Sequence, residues 1–245
     1  MKINTINNTN FNGKPPELLA ADKVLRLMNT HYPTVSCSRF KKFRVLQNNT
    51  KLQQALGFST GISCAFVRKK LIQSEKVDTP LEFFKGFFKT LKNHKVGNCF
   101  EMVKLFSFIM DLNGIEPKWG SILPSEIDHC IALIPLKEDC FEKTDFTKTP
   151  ISKMKDFLIA DPWLGIVDYA PNIATLYKNH PDYNRCVGSP ENFENWNIFI
   201  PKFMISDYYL QPQDYHSRPL SPEDKKFFTL NYPELLINKK QLIKH

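Results

Sequence analysis

The chain has 245 residues, 42% apolar and 24% charged, with 20 Phe. That is enough for one large or two small domains with a sizeable core, and it excludes a disordered chain. The net charge of +8 would suit an acidic partner or an anionic membrane surface. The basic runs Lys41-Lys42-Phe43-Arg44 and Arg68-Lys69-Lys70, however, are of the kind that more often form a solvated face.

Nucleic acid is not expected as a partner, because the chain has neither zinc-finger spacing nor an RNP-like aromatic motif. The six cysteines, at positions 37, 64, 99, 130, 140 and 186, are irregularly spaced. They argue against a disulfide framework and for a reducing compartment. No Cys-x-x-Cys pair occurs, so a structural zinc site is not expected; the chemistry read below calls for no other metal or cofactor. Residues 1–12 lack the apolar core of a secretory signal, and no run of about 18 apolar residues suggests a membrane span.

In chain order, residues 1–14 read as a lead-in. Pro15-Pro16-Glu17 opens a helix carrying Leu18, Leu19, Val24, Leu25 and Met28, since proline suits a first turn whose N–H groups have no intrahelical partner. Residues 36–76, broken by Gly57 and Gly61, suggest short helices. Thr79-Pro80-Leu81-Glu82 is a start signal, and Phe83, Phe84, Phe87, Phe88 and Leu91 then fall on one helical face, the spacing of a core stripe. Asn98-Cys99-Phe100-Glu101 opens the next helix, with Asn98 as N-cap and Glu101 at the reciprocal position. Its apolar residues run from Met102 to Leu112 on most sides, so it is predicted to be buried, and Asn113-Gly114 ends it.

The pattern then changes to strands. Lys118–Leu123 is one candidate, Asp128–Ile134 a second, closed by Pro135, and Phe157–Asp161 a third, stopped by Pro162-Trp163. Residues 137–155 are polar and read as a long hairpin excursion, with Cys140 in a polar loop. Gly165–Tyr169 continues the sheet, Pro171–Tyr177 is a short helix, and Trp196–Ile200 and Phe203–Leu210 are strand candidates. From Gln211 the chain reads as a tail wrapping the surface. Helices first and strands after suggest an α+β fold with an antiparallel sheet. The expected division is an N-terminal helical region (1–78), a core (79–210) and a C-terminal tail (211–245), all in one compact domain.

Three residues carry the chemistry. Cys99 falls in the first turn of a buried helix, where N–H groups and the positive dipole end stabilise a thiolate, the reactive form of the side chain. Gly97 before it is expected to allow close backbone approach. His129 opens an apolar strand and shares a face with Ile131 and Leu133, so its ring can meet a neighbouring thiol and act as base and acid. Asp128 points to the other face. Asp161 ends an apolar strand, where a carboxylate needs a partner; bonding a histidine N–H would fix its tautomer. Taken singly, the bland readings are a small core thiol, a core histidine and a turn-forming Asp before Pro.

The stretches Gly97-Asn98-Cys99-Phe100-Glu101, Asp128-His129-Cys130-Ile131 and Ala160-Asp161-Pro162-Trp163 together resemble the papain-like and transglutaminase-like cysteine enzymes, including protease and deamidase effectors of pathogenic bacteria. The resemblance covers residues 93–165. It implies Cys99 as nucleophile, His129 as base and Asp161 as orienting group, in a helix packed on an antiparallel sheet. It also implies an oxyanion hole built from the Cys99 N–H and Asn93, the latter six residues before the cysteine where papain-like enzymes have Gln, with His94 as rival. Phe100 or Trp119 would be the aromatic residue near the sulfur, and Trp119 and Trp163 would be substrate contacts. The 137–155 insertion departs from the pattern and would carry substrate contacts.

The activity implied is that of a thiol hydrolase or acyl-transfer enzyme acting on a protein of a host cell: a protease, a glutamine deamidase or a transglutaminase. The Asn- and Lys-rich composition, with no signal sequence, fits an effector delivered by a specialised secretion system. The competing class is a non-enzymatic module binding an acidic partner through its basic surface.

Overall fold

A computed structural model of the chain describes residues 14–33, 80–94, 97, 99–122, 129–146, 148–180, 198–199 and 220–237. The expectations for residues 36–76, the caps at Thr79 and Asn98, the residue Asp128 and the strand at 203–210 lie outside these residues, as do the side chains of Phe83, His94, Phe100 and Trp119.

Helix α1 (Pro16–His31) starts with proline in its first turn, as predicted, and buries Leu18, Ala20, Ala21, Val24, Leu25 and Met28. Helix α2 (Pro80–His94) turns Phe84, Phe87, Phe88 and Leu91 inward. Helix α3 (Cys99–Leu112) is the centre of the fold. It touches α1 and the sheet, which explains why it is apolar on nearly every side: Met102, Val103, Leu105, Phe106, Phe108, Ile109 and Met110 are all buried. Its end is a Schellman turn, with Ile115 N–H donating to Met110 O at 3.0 Å and Gly114 N–H to Asp111 O at 2.9 Å. Gly114 takes the required left-handed conformation, φ 86°.

Strands β1 (Lys118–Ile122), β2 (Cys130–Pro135), β3 (Phe157–Asp161) and β4 (Ile166–Tyr169) form an antiparallel meander. With β5 (Ile198–Phe199) on the far side of β1, the sheet order is β4-β3-β2-β1-β5. β3 is buried at every residue and β2 at all but the last, so these central strands read as unbroken apolar runs rather than alternating ones. Their register pairs Ala132 with Ala160 and Leu133 with Ile159. The architecture is therefore α+β, with a helix against an antiparallel sheet.

Two parts of the chain differ from expectation. The excursion between β2 and β3 is not a polar hairpin. It is closed at its base by Leu136 N–H to Asp156 O at 2.9 Å, and it carries a one-turn helix α4 (Cys140–Lys143) and a 3-10 turn at Ile151–Lys153. Cys140, Phe146, Ile151 and Met154 are buried, and Phe141 and Phe146 pack on Phe157 with centroids 5.1 and 5.4 Å away. Its lysines face solvent while sparse apolar residues plug the end of the sheet.

Nor does the C-terminal part merely wrap the surface. After α5 (Ala170–Asn179) and β5, helix α6 (Pro222–Asn231) opens with a capping box between Ser221 and Asp224. It drives Phe228, fully buried, among Phe84, Phe88 and Phe108. This ring cluster joins α2, α3 and α6, and each aromatic pair adds about 0.5–1.5 kcal/mol beyond area burial.

Asn113 fastens the same region. Its side-chain amide donates to Ile109 O at 2.7 Å and Leu235 O at 3.0 Å, and its Oδ1 accepts from Ile237 N–H at 2.8 Å. Asn113→Ala is expected to cost about 1–2 kcal/mol, because partly buried backbone groups lose their partners. Urea unfolding measures the loss, and faster amide exchange at Ile237 would locate it.

Candidate functional site

The site forms where the N-terminus of α3 meets the ends of β2 and β3. His129 lies one residue before β2. Continuing the β2–β3 register one step beyond Ala132–Ala160 puts Asp161 opposite Ile131 and diagonal to His129, on the same sheet face. Their side chains meet: His129 Nε2 donates to Asp161 Oδ2 at 2.6 Å. The imidazole is 3% exposed and the carboxylate fully buried.

Asp161 holds two structures together. Its Oδ1 accepts the N–H groups of Trp163 (3.1 Å) and Leu164 (3.0 Å), while its Oδ2 serves His129 and the Tyr177 hydroxyl (2.9 Å). Pro162 has no N–H to offer, so the turn's donors come from the two residues after it. The turn-forming Asp and the histidine partner of the sequence reading are thus one residue using its two oxygens for two purposes. Burial raises the Asp161 pKa, but the charge and hydrogen bond of His129 and the donors of Leu164 and Tyr177 outweigh it and hold it below the ordinary 3.8.

Cys99 is the first residue of α3 and half-buried. Its sulfur is in hydrogen-bond contact with His129, with the Cys130 thiol and with the Cys130 backbone. With Nε2 given to Asp161, the imidazole nitrogen left for the sulfur is Nδ1. The bond from the Cys130 thiol is the largest influence on Cys99. Together with the hydrogen bond and charge of His129 it outweighs burial and brings the pKa from 9.0 to about 5. For His129, burial pulls the pKa down, but Asp161 first and Cys99 second raise it to about 10. Around neutral pH the stable form is a thiolate beside an imidazolium, the arrangement that makes a thiol nucleophilic.

The remaining predicted residues are placed less centrally. Trp163 is 7% exposed, its ring tilted against His129 with centroids 5.3 Å apart, so it walls the imidazole. Trp119 lies in β1 opposite Ala132. Asn93 is exposed in the last turn of α2. At Gly97 a methyl would meet Glu101 Cβ at 3.5 Å and Leu91 and Met102 at 3.8 Å, all ordinary contacts. The backbone there does not demand glycine for space, contrary to the sequence expectation.

Two site residues were missed by the sequence reading. Cys130 has no helix start before it to mark it as reactive, although its adjacency to His129 is a usable signal. Tyr177, fully buried, sits on α5, and nothing local to it indicates a carboxylate partner. Tyr177→Phe is expected to destabilise by about 1.5–3 kcal/mol, the net worth of a hydrogen bond to a charged acceptor. It should also raise the Asp161 pKa, moving the acid limb of the stability–pH curve upward, a shift that lost packing alone would not produce.

No family model, no curated protein and no solved structure matches this chain.

Proposed function

We propose that the protein is a thiol-dependent acyl-transfer enzyme or hydrolase acting on protein carboxamides or peptide bonds, with Cys99, His129 and Asp161 as its catalytic triad in a papain-like or transglutaminase-like core. One observation carries the reading: a half-buried thiol, a buried imidazole and a fully buried carboxylate are joined in series by hydrogen bonds. The sulfur sits at a helix N-terminus, where the peptide dipoles also favour its anion.

In the mechanism, the Cys99 thiolate attacks the carbonyl carbon and the Cys99 N–H stabilises the oxyanion. His129, held by Asp161, gives its proton to the departing amine, leaving a thioester on Cys99. Water gives a proton back to His129 as its oxygen attacks the thioester, and the acid leaves. Ammonia leaving from a Gln side chain makes the reaction a deamidation, and a peptide amine makes it proteolysis. A Lys amine in place of water makes it transglutamination.

The test compares the proteomes of cells expressing wild type and Cys99→Ala, searching for new termini, Gln converted to Glu, and Gln–Lys cross-links. The expected result is one of these products, present with wild type and absent with both Cys99→Ala and His129→Ala. Products that persist in the variants, or phenotypes indifferent to His129→Ala, would replace the enzyme reading with that of a binding module.

A further inference from the structure

Acyl transfer uses one sulfur, and the site contains two. Cys130 is 7% exposed and follows His129 directly; its thiol and its backbone both contact the Cys99 sulfur. Neither cysteine is in a disulfide. They come from different elements, Cys99 from the start of α3 and Cys130 from the start of β2, so only the fold brings them together. A serine at 130 could donate the same hydrogen bond, so what a second sulfur adds is redox chemistry.

We infer that Cys99 and Cys130 form a reversible redox site, in which a hydroperoxide oxidises Cys99 and Cys130 resolves the product to an intramolecular disulfide. The Cys99 thiolate attacks one peroxide oxygen; the O–O bond breaks, hydroxide leaves, and the sulfur, oxidised by two electrons, becomes a sulfenic acid. The Cys130 sulfur gives up its proton and attacks the Cys99 sulfur. The S–O bond breaks, and the departing hydroxide takes up that proton as water. Two thiols and one hydrogen peroxide become one disulfide and two waters.

A small dithiol reverses the reaction by exchange, itself becoming a disulfide. The half-buried Cys99 is the sulfur that peroxide reaches, and Cys130, already in contact, intercepts the sulfenic acid before a second peroxide converts it irreversibly to sulfinic acid. While the bond stands, Cys99 has no thiolate, so any acyl transfer at this site is off; that consequence alone rests on the proposed function.

The test needs no substrate. Reduced full-length protein is treated with hydrogen peroxide near neutral pH, alkylated under denaturing conditions, digested with trypsin and mapped by mass. The expected product links peptide 96–104, carrying Cys99, to peptide 119–137, carrying Cys130, and dithiothreitol restores both thiols. Cys140, buried at the start of α4, stays reduced.

In Cys130→Ser the same dose should leave Cys99 as sulfinic acid at several times the wild-type yield. Cys99 over-oxidised in wild type while Cys130 is still alkylated, Cys99 linked to another cysteine, or equal sulfinic yields in the two proteins would each overturn the inference. Should Cys130→Ser fail to fold, the wild-type peptide map decides the question alone.

Discussion

Alkylation of Cys99 by iodoacetamide is expected to rise with pH through a midpoint near 5, and His129→Ala is expected to move that midpoint up. At pH 6 a thiol with the pKa of Cys99 is about nine-tenths ionised, whereas an ordinary thiol of pKa ~8.5 is ionised to roughly 0.3%. The gain in rate is smaller than that ratio. Intrinsic nucleophilicity falls with pKa at a Brønsted slope of about 0.4–0.5, which returns roughly 30- to 50-fold. Cys99 should therefore react roughly six- to tenfold faster at pH 6 than an exposed ordinary thiol.

Losing His129 removes a hydrogen bond and a positive charge from the sulfur but leaves the Cys130 donors and the helix terminus. The midpoint should accordingly move toward the ordinary thiol range without reaching it. Acyl transfer should follow the same pair, rising with pH through about 5 as Cys99 ionises and falling through about 10 as His129 loses its proton. These midpoints belong to the pair and not to either residue alone. An alkylation profile of His129→Ala that superimposes on wild type would show that the imidazole does not govern the sulfur.

Asp161→Ala is expected to destabilise the fold by about 3–5 kcal/mol, as removal of one member of a buried ion pair does. The carboxylate is fully buried and accepts from His129, Trp163, Leu164 and Tyr177. Alanine leaves all four donors without it, against a total stability of about 5–15 kcal/mol for a typical protein. Urea midpoints at several pH values test both the size and the cause.

The signs follow from proton counts. The folded Asp161 pKa is lowered, so the unfolded chain binds more protons there. Its contribution is present above the unfolded value of ~3.9 and fades as pH falls through the lowered folded value. The folded His129 pKa is raised to about 10, so its contribution is complete below ~6.5 and is lost as pH rises toward that folded value. The difference between wild type and Asp161→Ala should thus be greatest between about pH 4 and 6.5 and shrink on both sides. Asp161→Asn keeps an oxygen for the turn but not the charge, so it should lose less stability and show the same loss of pH dependence. A uniform loss at every pH would mean that the turn, and not the ion pair, dominates.

By itself the sequence determined the pieces. Helix α3 was legible because it is apolar on most sides and ends in Asn113-Gly114; β3 was legible as an unbroken apolar run stopped by Pro162. The residue types able to do thiol chemistry stood at or beside the ends of helix α3 and strands β2 and β3. These signals are local, each spanning one element and its caps.

Only the tertiary structure decided what the pieces meet. The β2–β3 register brought Asp161 to His129, and the crossing of α3 over the sheet brought both His129 and Cys130 to Cys99. The packing of α5 supplied the Tyr177 hydroxyl, and α6 sank Phe228 among rings more than a hundred residues upstream. Such contacts leave no periodicity in the chain, because they depend on how elements distant in sequence bury one another's surfaces, and a cysteine or tyrosine is chemically the same residue whichever neighbour the fold gives it.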